Sequence, residues 1–136
     1  MDWEECMKKR IVKKINIDEE LINSLIQTSK NKSISGGLLD LNETTSCSII
    51  SLYYDSLREL LEALSVKNGY KIYNHEGYTY FLKEVLHKEK VSNAFDGIRK
   101  IRNGINYYGK QYPLSDSKII IKDIKELINK CKLLLK

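Results

Sequence analysis

TSCSIISLYYDSLRELLEALSVKN, residues 45–68, decides the fold class. Within it Ile50, Tyr53, Leu57, Leu60 and Leu64 recur at alternating intervals of three and four, the spacing that stacks side chains on one face of an α-helix. The run predicts a core helix. Asn68-Gly69 closes it with two residues that tolerate the left-handed backbone of a helix C-terminus.

Towards the C-terminus, Asn74 is placed to cap a helix whose buried face is Tyr78, Phe81, Leu82, Val85 and Leu86. Val91, Ala94, Phe95, Ile98, Ile101 and Ile105 predict the next helix, ending near Tyr107-Tyr108 with Gly109 as its stop. Ser115 or Asp116 opens a last helix. Its stripe of Ile120, Ile121, Ile124, Leu127, Ile128, Cys131, Leu134 and Leu135 favours helix over strand for the β-branched run Lys118 to Ile121.

Towards the N-terminus, Trp3, Cys6, Met7 and Ile11 fit a short first helix, and Lys13 to Ile17 reads as a connector. Asp18 is a good N-cap, Glu19 and Glu20 suit the positive end of the helix behind it, and Leu21, Ile22, Leu25 and Ile26 form its stripe. Gly36-Gly37 is expected to break that helix. The expected architecture is all-α: one domain over residues 1–136, an up-down four-helix bundle with an additional short N-terminal helix across one end. Residues 1–44 supply the N-terminal helices and 45–135 the core.

Composition agrees with that class. A chain of 136 residues, 42% hydrophobic and 30% charged, with mean hydropathy −0.40, suits a globular domain and not a disordered tail. One proline and seven glycines leave few tight turns for a sandwich or barrel. No apolar run approaches the ~20 residues that span a bilayer, and Asp2, Glu4 and Glu5 stand where a signal peptide carries basic residues, so a cytoplasmic location without membrane contact is expected. Cys6, Cys47 and Cys131 lack the spacing of a zinc or redox motif, and two histidines, His75 and His87, are too few and too separated for a metal site. No metal and no cofactor is expected.

The chemistry-bearing stretch is Ile98-Arg99-Lys100-Ile101-Arg102-Asn103-Gly104-Ile105-Asn106-Tyr107-Tyr108-Gly109. Asn, Gly and Asn within four residues are poor choices for a helix interior, so something other than propensity selects them. Arg102 and Asn106, four apart, share a face. Gly104 permits close approach of a helix or ligand. The net charge of +5 decides little by itself, but from Gly97 to Ser115 the chain carries Arg99, Lys100, Arg102 and Lys110 with no acid among them. Either a polar site for a phosphate-bearing partner or a structural role inside a helix interface fits these residues. On the long helix, Asp55, Arg58, Glu59 and Glu62 read as a solvated, mutually screened face, with Tyr54 and Arg58 facing the Arg102 cleft as the alternative. His75 reads as a packing or capping residue.

Two stretches resemble the HEPN superfamily (higher eukaryotes and prokaryotes nucleotide-binding domains), of archaeal or bacterial type. Leu52 to Leu64, followed by Gly69-Tyr70-Lys71 and Asn74-His75-Glu76-Gly77, is similar to the family's tyrosine-bearing core helix, its GYK turn and the start of its next helix. Ile101-Arg102-Asn103 through Tyr107-Tyr108-Gly109 resembles its R-N helix. The resemblance implies a helical domain that forms a homodimer through this helix and binds a nucleotide, RNA or a small nucleotidyltransferase partner. On that basis Tyr54, Arg58, Arg99, Arg102, Asn103, Asn106 and Tyr107 are the expected binding residues. Ribonuclease members carry a histidine where Tyr107 and Tyr108 stand here. Tyrosine, with a pKa near 10 against about 6.5 for imidazole, is a poor proton carrier at neutral pH, so binding without efficient cleavage is expected. Two alternatives remain: a metal-independent ribonuclease toxin of a toxin–antitoxin pair using Arg102, Tyr107 and Tyr108, and a structural adaptor.

Overall fold

Asp2, Asp18 and Asn74 each accept a hydrogen bond from the backbone N–H three residues on, at 2.9, 3.0 and 2.8 Å, and so set three helix starts. The computed structural model describes all 136 residues. Helix α1 is Trp3–Lys8, α2 is Glu19–Leu38 and α3 is Ser46–Lys67. Helix α4, His75–Tyr80, runs on as a wider π-helical turn over Phe81–Val85, and α5 (Glu89–Tyr108) and α6 (Leu114–Leu134) complete the helices.

Helix α3 is the axis of the molecule. Its apolar residues face α2 on one side and α6 on the other, while α5 reaches it beside α4. Asn68 and Gly69 end it, Gly69 at φ +83°. The main core gathers 22 buried residues, with Tyr54, Phe81, Phe95, Leu61 and Ile124 wholly or almost wholly withdrawn from solvent. No helix is long and apolar enough to cross a membrane.

The expected four-helix bundle with one extra helix is overturned by an antiparallel sheet of two strands, β1 (Val12–Lys14) and β2 (Tyr70–Ile72). Val12 faces Ile72, Lys13 faces Lys71 and Lys14 faces Tyr70, so the chain is six helices plus a sheet. The connector expected at Lys13 to Ile17 therefore begins as strand. Only Val12 of β1 is buried, and a single apolar residue ahead of two lysines leaves no alternation to detect. Helix α1 also stops short of Ile11, because Arg10 turns the chain at φ +57°.

Helix α2 does not break at Gly36-Gly37 but continues to Leu38. Gly36 lies against the Tyr53 ring, where a Cβ would sit 3.0 Å from Cε2, so the glycine admits an aromatic ring and does not end the helix. The π turn shifts the later residues of the α4 stripe, leaving Val85 and Leu86 only partly buried. Helix α6 starts at Leu114, directly after Pro113.

The polar face expected on α3 is not solvated. Glu59 is buried, its Oε1 2.6 Å from Lys32 Nζ of α2, and Glu62 takes Arg58 at 3.3 Å and Lys71 of β2 at 2.6 Å. One turn from Glu59, Ser56 and Ser29 exchange side-chain-to-backbone bonds of 2.8 and 2.7 Å, and Ser33 Oγ meets Ser56 Oγ at 2.6 Å. Serines let α2 and α3 approach closely while their hydroxyls satisfy one another. Elsewhere Trp3 packs edge-on against Tyr70 and its backbone N–H donates to Glu84, tying α1 to β2 and the π turn. The three cysteines are free, Cys6 and Cys131 buried and Cys47 half-buried.

Candidate functional site

Arg102 sits on α5 with its guanidinium over the Tyr54 ring, 5.3 Å from the centroid. With the Asn106 amide turned so that its oxygen faces Arg102, that oxygen accepts from Nε at 2.9 Å and Nη2 at 3.1 Å. The one-turn spacing thus does what it predicts. No carboxylate lies within 4.0 Å of Arg102, which leaves its charge unneutralised. A cleft of about 440 Å³ opens beside it, walled by Arg99, Arg102, Asn103 and Tyr107 of α5 and by Tyr73, Asn74, His75 and Glu76 across from them.

His75, read from the sequence as a packing or capping residue, packs on Tyr54 and also lines the cleft. The start of α4 delivers it to the same cleft as Arg102, where its Nδ1 lies 2.9 Å from Tyr54 Oη. Burial pushes the Tyr54 phenol up to about 12, against the pull of Arg102, so it keeps its proton and stays uncharged. Nδ1 is its hydrogen-bond partner. Burial, then the charges of Arg102 and Arg58, push His75 down to about 4, so the ring is neutral, one nitrogen a donor and the other an acceptor. Nε2 is the ring nitrogen that Tyr54 does not engage. The only signal for this in the sequence is the Asn-His pair itself, one residue capping the helix and the next carried into the cleft.

The remaining expected residues divide. Asn103 and Tyr107 line the cleft, and Tyr107 is 70% exposed. Tyr54 is fully buried and forms the support beneath Arg102 and His75, out of a ligand's reach. Arg58 is not in the cleft wall but is paired with Glu62 and Glu59, acting on His75 through its charge alone. Tyr108, 84% exposed, lies outside the cleft. Arg99 lines it but gives Asp96 two bonds of 3.0 and 2.7 Å, and Lys100 reaches the other Asp96 oxygen at 3.1 Å. Burial would raise the Asp96 carboxyl, but the bonds from Arg99 and Lys100 outweigh it and hold the group below the usual range. Asp96 stands one residue before the acid-free stretch, so two of its four cations are already matched.

Gly104 has no helix against it. A Cβ there would meet the side chains of Lys110 and Tyr112 at 3.6–3.9 Å, ordinary contact distances. A separate groove between α5 and α6, lined by Ala94, Gly97 and Ile101, also carries Asp123, Glu126 and Lys130, two acids to one cation. No protein-family model, curated protein or solved structure matches the chain.

Proposed function

We propose that the chain is a nucleotide- or RNA-binding domain of HEPN type that works as a homodimer and holds a phosphate on Arg102 without cutting RNA efficiently. The observation that carries this reading is a guanidinium with no carboxylate partner, held over Tyr54 and bonded by Asn106, whose remaining N–H donors share the cleft with His75. Phosphate oxygens accept from such donors, and the exposed Tyr107 ring supplies a face on which a base can stack. Weak or absent cleavage follows from His75, whose basicity is low, and from Tyr107, a phenol. The adjacent exposed rings of Tyr107 and Tyr108 support association of two copies through α5. A small nucleotidyltransferase, the protein partner implied by the resemblance, is the competing occupant of this surface.

Titration calorimetry with uridine monophosphate and a short RNA tests the reading. Arg102→Ala should weaken both at least about tenfold. Unchanged binding would favour the structural adaptor, and Arg102-dependent capture of a nucleotidyltransferase without nucleotide binding would move the ligand from nucleic acid to protein. Sedimentation should give twice the chain mass. A second reading, the ribonuclease toxin, is favoured by one observation, the presence of His75 opposite Arg102. Cleavage in chelator, abolished by Arg102→Ala and by His75→Ala, would establish it in place of the first.

A further inference from the structure

We propose that Tyr73 joins the Arg102 cleft to a second cationic depression on the β1 edge, so that the surface takes a single-stranded nucleic acid several nucleotides long and not a mononucleotide alone. The proposal rests on the phosphate-binding reading above and extends it beyond α5. Tyr73 follows β2, is 60% exposed and lines both hollows. The second hollow, about 540 Å³, is bounded by Met7, Arg10, Val12 and Lys13 with Tyr73 between it and the first.

The sheet builds this arrangement. Tyr73 N–H donates to the Ile11 carbonyl at 2.8 Å, while Ile11 N–H reaches back to Cys6 at 2.9 Å and Arg10 N–H to Met7 at 3.2 Å. Arg10 is thereby fixed at its left-handed corner, a conformation that favours glycine, next to an exposed aromatic ring. Lys13 stands directly opposite Lys71 in the ladder, an unfavourable like-charge pair. Glu62 takes Lys71 at 2.6 Å. Neither Arg10 nor Lys13 has a carboxylate within 4.0 Å. An aromatic face with unmatched cations on both sides is the arrangement that holds a stacked base with a phosphate before and after it. A mononucleotide, with phosphate on one side only, leaves one of the two hollows unused.

Fluorescence anisotropy on the full chain with octauridylate, octathymidylate and uridine monophosphate tests this. The wild type should bind at least one octamer about tenfold or more tighter than the monophosphate, with the two octamers distinguishing RNA from DNA as the source of the strand. Replacing Arg10 and Lys13 together by Gln should lower octamer affinity and reduce the salt slope, log affinity against log salt, by about 1.4, the contribution of two phosphate contacts on a single strand. Tyr73→Ala should lower octamer affinity about tenfold. Equal affinity for octamer and monophosphate, or an octamer salt slope untouched by the Arg10/Lys13 double variant, would overturn the proposal. Loss of monophosphate binding is read separately through Arg102→Ala, so failure of the β1 hollow and failure of the Arg102 cleft give different patterns.

Discussion

Two polar clusters border helix α3, and they are finished in opposite ways. Along α2 the hydroxyls of Ser29, Ser33 and Ser56 bond to one another and to backbone, and Lys32, Arg58 and Lys71 close on Glu59 and Glu62. Only Glu59 Oε2 is left buried without a partner there. Between α4 and α5, His75 and Arg102 are positioned with equal care, yet both end at an open cleft and Arg102 has no carboxylate partner. Buried polar groups that satisfy each other hold helices together, while a positioned guanidinium at an open cleft keeps its remaining donors free for water or a ligand.

The contrast is broken first where the closed cluster is cut. Ser56→Ala removes a hydroxyl that donates to the Ser29 carbonyl and accepts from Ser33, and should cost about 2–3 kcal/mol in urea unfolding while leaving nucleotide affinity unchanged. A stability loss below about 0.5 kcal/mol would deny that the seam is closed by these bonds. Arg102→Ala should do the reverse, costing about 1.5–2 kcal/mol of ligand affinity with little change in unfolding free energy. A comparable loss of stability would make Arg102 a structural residue like Arg58.

His75 gives an intermediate effect that depends on pH. In the unfolded chain its imidazole titrates near 6.5 and in the folded chain near 4, because burial and the charges of Arg102, Arg58 and Arg99 outweigh Asp55. Above about 6.5 both forms are neutral and the full stability is present. As pH falls from 6.5 towards 4 the unfolded chain takes up its proton first, so stability should decline by about 1–2 kcal/mol, and His75→Gln should flatten that part of the profile. The smallest effect belongs to Gly104→Ala, which meets only ordinary contacts and should stabilise α5 by up to about 1 kcal/mol in thermal melts.

Helix α3 was legible because Ile50 to Leu64 repeat over several turns, and Asp18 and Asn74 were legible as caps because capping is a local bond. The β1–β2 pairing was not, since Val12 finds Ile72 across the whole of helices α2 and α3 and neither three-residue strand carries a period of its own. Glu59 misled for another reason. A helix covered by both α2 and α6 buries more than one stripe, so a charged residue beside Leu57 and Leu60 is drawn inside and must find Lys32 there. At the site, Arg102 with Asn106 was readable from a spacing of four, whereas His75 and Asp96 act across elements or just outside the stretch that drew attention.

The cysteines turn the same packing into a clock. Burial pushes the Cys131 thiol up to about 12, and burial together with Glu76 and Glu84 raises Cys6, so neither presents a thiolate to an alkylating reagent while the fold is closed. Cys131 lies in α6 and Cys6 in α1, at opposite ends of the sequence, while Cys47 at the start of α3 is already half in solvent. Labelling of Cys47 therefore reports the standing molecule, that of Cys6 the detachment of α1 from β2, and that of Cys131 the opening of the α3–α6 core. One unmodified chain thus carries three separate timers for how it comes apart.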